Sequence, residues 1–374
     1  MGHAYTPGLK VTSNYLIKKN RILPLKGEVK VKVGDKVQPD DVVAETHLPG
    51  NVVPLNVANI LGLPPEDLEM AMSKKEGEAI TEGEQIALKK SFIRYFNKVC
   101  NATIDGKIES ISHITGQVLQ RGKPVPVQVK AYLHGKVVEV FPGEGVVVAC
   151  HGAFVQGIFG IGGETYGNLR IAVSDNSAVL TDDLITDDMA GQVIVGGSLV
   201  TADALEKAIK VKARGIVVGG FDDKDLRDFL GYDIGVAITG SENKGITLVV
   251  SEGFGKIDMA GKTFDLLKSH DGQMACINGA TQIRAGVIRP EVVIPRAEQE
   301  HIEVTGPTEV MGLTTGSPIR VIRHPYFGRL GQVTDLPSPL HTLESESKAR
   351  VLEVEFEDGS KAIVPRANVE MIEY

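Results

Sequence analysis

Apolar positions along the chain follow two rhythms. From Leu23 to about Cys150 they form short Val/Ile runs broken by Gly-Asp, Gly-Glu and Pro-Gly pairs, which predicts short strands joined by tight turns. Three stretches share this form: residues 27–45, residues 72–88 continued by 101–112, and residues 130–149. Each sets apolar residues around a glycine-acid turn and then supplies a second strand, the pattern of stacked hairpins. Between them, Pro64 and Pro65 followed by Glu66 and Asp67 predict a short helix, because proline and acids suit a first helical turn. Residues 91–99 concentrate aromatics and bases and fit either a strand or a helix.

The second rhythm starts near Gly191. Apolar runs (residues 192–195, 215–220, 246–250) alternate with helically spaced segments, the first over residues 201–213 with Thr201 as N-cap and Glu206–Lys210 as an i,i+4 pair. A second helix over residues 222–231 closes on a glycine. Strands separated by helical patterns imply βαβ units in a mostly parallel sheet. Beyond Gly316 the short strand runs return, with an Asp358–Gly359 turn that suits a small barrel. The fold class expected is multidomain, mixed α/β and all-β: residues 1–150 a β region with short helices, 151–190 a Gly-rich crossover and acidic loop, 191–296 a small parallel α/β domain, and 297–374 a linker and β-barrel.

Composition fits that picture. The 374 residues include 42 glycines and no tryptophan, and the net charge is −8, which argues against a surface that is one nucleic-acid footprint. Cys100, Cys150 and Cys276 are isolated, so they read as buried small hydrophobes in a reducing compartment. No signal-like segment opens the chain, and no apolar run reaches the ~18 residues of a membrane span. A soluble cytoplasmic protein without membrane contact is the expectation.

Several segments resemble known modules. The strand–turn–strand of residues 31–45 is similar to biotinyl/lipoyl carrier domains, and the hairpins at 104–112 and 133–148 resemble those of barrel-sandwich hybrids. Carriers present a lysine at a hairpin tip. The matching stretch here, from Thr46 to Pro54, has none, so the resemblance implies the fold without the prosthetic group, and no cofactor is expected. Residues 319–336 resemble the KOW motif of ribosomal proteins and elongation factors through Val321, Arg323, Pro325, Phe327, Gly328, Gly331 and Val333, with His324 where the motif has glycine. The resemblance implies an SH3-like barrel whose Arg320, Arg323, Tyr326, Phe327 and Arg329 contact a partner. From Gly316 onward seven Lys/Arg face nine Asp/Glu, and Glu353, Glu355 and Glu357 alternate along one strand, which disfavours RNA and favours a protein or ribonucleoprotein partner. The whole chain is also similar to a conserved bacterial multidomain family, a likeness that implies no mechanism.

Candidate chemistry is confined to glycine-rich junctions. Gly160, Gly162 and Gly163 with Glu164 and Thr165 read as an anion nest or an inter-domain crossover. Gly253, Phe254 and Gly255 sit between a strand and a helix, where backbone donors favour anions, unless Asp258 simply caps that helix. Arg284 and Arg289 need acidic partners, from a ligand or from Glu164 or Glu252. The acids Asp182, Asp183, Asp187 and Asp188 read as a solvated loop or a Mg²⁺/Ca²⁺ site. No nucleophile–base set or metal motif converges. Two functions follow: a non-catalytic adaptor or assembly factor, or an enzyme or ligand-gated regulator binding a nucleotide or phosphorylated metabolite at the Gly-rich loops.

Overall fold

The computed structural model describes residues 9–90, 97–231, 244–281, 288–296, 313–321, 325–326, 329–337, 339–342, 348–356 and 358–373. It is strand-rich and combines antiparallel sheets with one parallel α/β unit. Its apolar residues gather into four clusters. Among the described residues no helix is long and apolar enough to cross a membrane.

The amino-terminal 150 residues divide between two of these clusters, where sequence reading expects one β region. Leu9–Ile22 runs antiparallel to Gly145–Gln156, and Gly135–Phe141 extends that pairing. Val42–Leu48 pairs with Val125–Lys130. Ile17, Val37, Val43, Tyr132, Leu133, Val146 and Val148 fill the interior between these strands. The first and third look-alike hairpins therefore share a core. The second, with residues 52–122, packs around its own: Val57, Leu61, Leu68, Ile86, Ile108 and Val118. This second unit is inserted between the paired strands Val42–Leu48 and Val125–Lys130. The chain leaves after Leu48 and returns at Val125, and the crossing is tight: a Cβ at Gly50 would lie 2.1 Å from the Gly122 carbonyl oxygen. Only glycine allows two backbones so close.

The parallel unit has the largest core. Glu164–Ile171, Val193–Val195, Gly215–Phe221 and Thr247–Phe254 pair in parallel in that order. The near-continuous burial of the last three is what helices over a parallel sheet require. Thr201 caps the helix Ala202–Lys210 through a 3.2 Å bond from the Ala204 N–H, and Glu206–Lys210 pair at 3.5 Å, as expected from spacing. The helix Asp223–Leu230 ends on Gly231 in the left-handed conformation. Antiparallel strands Phe159–Ile161, Met274–Asn278 and Glu291–Pro295 continue the pairing round to Gly145–Gln156, so the sheet curls toward closure.

Among the described residues the carboxy-terminal sheet joins five strands, Pro318–Val321, Leu330–Asp335, Val351–Phe356, Lys361–Pro365 and Val369–Glu373, with the first paired to the last, and His341–Thr342 pairs separately with Lys348–Ala349. A 3₁₀ turn, Arg366–Asn368, precedes the final strand. That strand also meets Leu9–Lys10 in parallel, which ties the two ends of the described chain together.

Candidate functional site

The two glycine loops sit at opposite ends of one strand. Gly162 packs against Ile246 and Thr247, at the start of Thr247–Phe254, whereas Gly253 and Gly255 lie at its far end. Six residues of strand at about 3.3 Å each separate Thr247 from Gly253 by roughly 20 Å. The far end is closed by the chain itself. The Gly255 N–H donates to the Phe221 carbonyl (2.8 Å), Ile257 to Ser198 (3.2 Å) and Met259 to Asn176 (3.1 Å), so these donors are spent. A Cβ at Gly220 would stand 1.9 Å from the Gly255 oxygen. Gly253, Phe254 and Gly255 therefore form a packed junction rather than half of a shared pocket. Ala260, not Asp258, holds the N-cap position of Gly261–Ser269, and the Glu252 carboxylate accepts from its N–H at 3.0 Å.

The near end is open. A groove of about 980 Å³ is lined by Gly162, Gly163, Glu164 and Thr165 together with Lys212, Arg214 and Thr247. A smaller basin of about 190 Å³ continues from it, sharing Glu164, Thr165 and Arg214 and adding Asp40, Lys130, Tyr132 and Tyr166. Gly160 stays beneath the surface, where its N–H donates to the buried Thr281 hydroxyl (2.9 Å) and its carbonyl accepts from it (3.1 Å).

Backbone geometry marks this groove. Among the described residues two non-glycines have left-handed φ, Tyr132 (67°) and Lys212 (62°), and each lines one of the two basins. Such φ values are uncommon outside glycine and are outliers for bulky residues. Lys212 follows the helix Ala202–Lys210. Its N–H donates to Ile209 (3.0 Å) and that of Ala213 to Ala208 (2.9 Å), the helix-ending arrangement that normally uses glycine. Tyr132 is held because the Ala131 and Tyr132 N–H groups bond Asp41 (2.8 Å) and Pro39 (3.0 Å), which also fixes Asp40 at the basin. Its hydroxyl donates to Glu291 at 3.1 Å, and burial pushes its pKa well up.

The charges are arranged unevenly. Arg21 donates to both Glu164 oxygens (2.6 and 2.7 Å) and to the Lys130 carbonyl (2.6 Å), so the Glu164 charge is cancelled. Asp40 pairs with Lys130 at 2.7 Å and accepts from the Tyr166 hydroxyl. The bond from Lys130, then that from Tyr166, holds the Asp40 carboxyl below its ordinary range. Lys212 and Arg214 are exposed and form no ion pair among the described residues. Among the described residues the groove therefore carries two cations outside any ion pair, with Arg214 within electrostatic reach of Asp40.

The Asp40 link carries a pH signature. A carboxyl with a depressed folded-state pKa adds stability that is present above its unfolded value, near 4, and is lost as pH falls through the lower folded value. Asp40→Asn is expected to flatten the acid limb of the stability curve, read as urea midpoints at pH 7 and pH 3. Parallel curves for both proteins would rule the link out.

The other candidates lie elsewhere. Arg289 is half-buried ahead of Glu291–Pro295, away from the groove, and Arg284 falls outside the described residues. The acids proposed for these arginines have other partners: Glu164 holds Arg21, and Glu252 holds Arg320. Arg320 is 3% exposed, so it is an internal contact and not the partner-facing residue expected. Arg329 donates to Asp358 (2.6 Å) and stacks 3.8 Å over the Phe356 ring, with half-buried Tyr326 alongside. Arg323 and Phe327 fall outside the described residues. Lys361 bridges Glu353 (3.3 Å) and Glu355 (3.5 Å), which offsets one of their two charges. Asp182, Asp183, Asp187 and Asp188 are exposed on two 3₁₀ turns, and among the described residues no metal-holding group occurs. All three cysteines are buried, and burial raises Cys150 and Cys276 to about 12, which leaves them unreactive.

Sequence reading found the 162–165 loop but missed Asp40, Lys130, Tyr132, Tyr166, Lys212 and Arg214. The available signal was the helix ending: bases after Lys210 look like ordinary complements to the helix dipole, which hides a lysine where glycine is usual. No protein-family model matches the chain, and no curated protein matches it.

Proposed function

We propose that this protein is a non-catalytic binding protein that takes a small anionic ligand in the groove between its amino-terminal sheet and its parallel α/β unit. The observation that carries this reading is Lys212, a lysine kept in left-handed backbone beside Arg214 on a glycine-lined wall. A left-handed non-glycine residue costs roughly 1–2 kcal/mol, and function is the usual reason such a cost persists. In this reading the amino-terminal sheet is a barrel-sandwich relative that uses its hairpin tip for an inserted unit instead of a prosthetic group.

The test separates stability from binding. Lys212→Gly is expected to raise stability by about 0.5–1 kcal/mol. It is also expected to weaken phosphate binding about tenfold or more, the loss of one charge-assisted hydrogen bond. Urea unfolding and calorimetric titration read the two effects. A stabilised variant with unchanged phosphate affinity would defeat the proposal.

A second reading, an adaptor docking a protein or ribonucleoprotein partner, draws on the carboxy-terminal unit. Its five strands, with first paired to last and a 3₁₀ turn before the last, support the KOW/SH3-like assignment. The internal engagement of Arg320 and Arg329 leaves this face with few cations to offer RNA, so a protein is the better-suited partner.

A further inference from the structure

We infer that the ligand class is a phosphorylated sugar or polyol, with its phosphate in the larger basin and its hydroxyls in the smaller one. The inference rests on the anion-groove reading above and adds the chemistry of the second basin. In the larger basin the walls are small or aliphatic (Ala190, Gly191, Ile209, Gly245), and among the described lining residues Lys212 and Arg214 are the charges outside any ion pair. A phosphate supplies up to two negative charges and several acceptor oxygens to such a pair. Among the described residues no aromatic ring lines this basin, so none of them offers a nucleobase a stacking surface there.

The smaller basin has the opposite character. Asp40 gives one oxygen to Lys130 and the other to Tyr166, yet a carboxylate offers about four lone-pair positions. Beside Glu164, it presents acceptors that suit hydroxyl donors, which a second phosphate or carboxylate does not supply. Arg214 and Thr165 line both basins, so one molecule can reach from the cations to the carboxylates. A polycarboxylate would satisfy the first basin, but its further carboxylates bring acceptors and not donors to the second.

Calorimetric titration of the full chain with inorganic phosphate, ribose 5-phosphate, ribose and citrate tests this. Ribose 5-phosphate is expected to bind at least tenfold tighter than phosphate, with ribose undetectable and citrate no tighter than phosphate. Asp40→Asn, which replaces a carboxylate acceptor by a donor, should remove the ribose 5-phosphate advantage over phosphate. If that variant does not fold by circular dichroism, methyl phosphate on the unchanged protein replaces it: an ester without hydroxyls should bind no tighter than phosphate. Equal affinities for phosphate and ribose 5-phosphate, or a preference for citrate, would overturn the ligand class and leave the anion groove standing. Binding of no anion at all would overturn both.

Discussion

Replacing Arg320 with alanine is expected to cost about 3–5 kcal/mol of stability, the usual consequence of stranding a buried charge. Arg320 lies on Pro318–Val321, and Glu252 lies on Thr247–Phe254. Both are buried at 3% exposure, and their side chains form an ion pair. Arg320 also donates to the Ser251 carbonyl at 3.1 Å, and the second Glu252 oxygen accepts from Ala260. The pair thus fastens the carboxy-terminal unit to the parallel sheet and to the loop that closes its far end. Against a total stability of about 5–15 kcal/mol, the loss is large, and a urea midpoint would register it directly. Arg320→Met combined with Glu252→Leu should recover most of it, because two apolar side chains leave no orphaned charge. A single-variant loss under about 1 kcal/mol would contradict the burial of the pair.

The second large effect is expected at Glu291. Its carboxylate accepts from Lys19 (2.6 Å) and from the Tyr132 hydroxyl (3.1 Å) within the sheet Glu291–Pro295. Glu291→Ala leaves the buried tyrosine hydroxyl unbonded and a part-buried lysine without its counter-charge, a loss of about 3 kcal/mol. Glu291→Gln keeps an acceptor for Tyr132 and should cost clearly less. Tyr132 is also one of the two left-handed residues at the groove. Phosphate affinity in Glu291→Ala should therefore hold, since Lys212 and Arg214 are untouched, while ribose 5-phosphate affinity falls. Equal unfolding midpoints for the alanine and glutamine variants would show that the hydrogen bond to Tyr132 is not what matters.

Much of the architecture was legible from spacing alone. Turn-punctuated Val/Ile runs gave antiparallel strands, and the alternation after Gly191 gave the parallel unit, because burial on both faces and helical periodicity each leave a local trace. Thr201, Glu206 and Gly231 were legible for the same reason: capping and i,i+4 pairing involve neighbours in sequence. The insertion of residues 52–122 was not, since the hairpins of two separate cores use the same turn chemistry. Nothing in a Gly-Glu turn says which core it joins.

The glycine loops show the same boundary. The local sequence fixed Gly160–Gly163 and Gly253–Gly255 as places of close backbone approach, but not what approaches them. Pairing of Phe159–Ile161 with Thr247–Phe254 set the two loops at opposite ends of one strand, so one borders a groove and the other is plugged by its own chain. The groove itself joins Arg21, Asp40, Lys130, Glu164, Tyr166, Lys212 and Arg214 from distant parts of the chain. Likewise Arg320 looked like a surface cation beside an aromatic motif until the sheet supplied Glu252. By itself the sequence determined which elements form, because that depends on periodicity and on neighbours a few residues apart. Only the tertiary structure decided which charges cancel and which stay open to a ligand, because that depends on distances between residues far apart in sequence, 143 positions for Arg21 and Glu164 and 272 for Lys19 and Glu291.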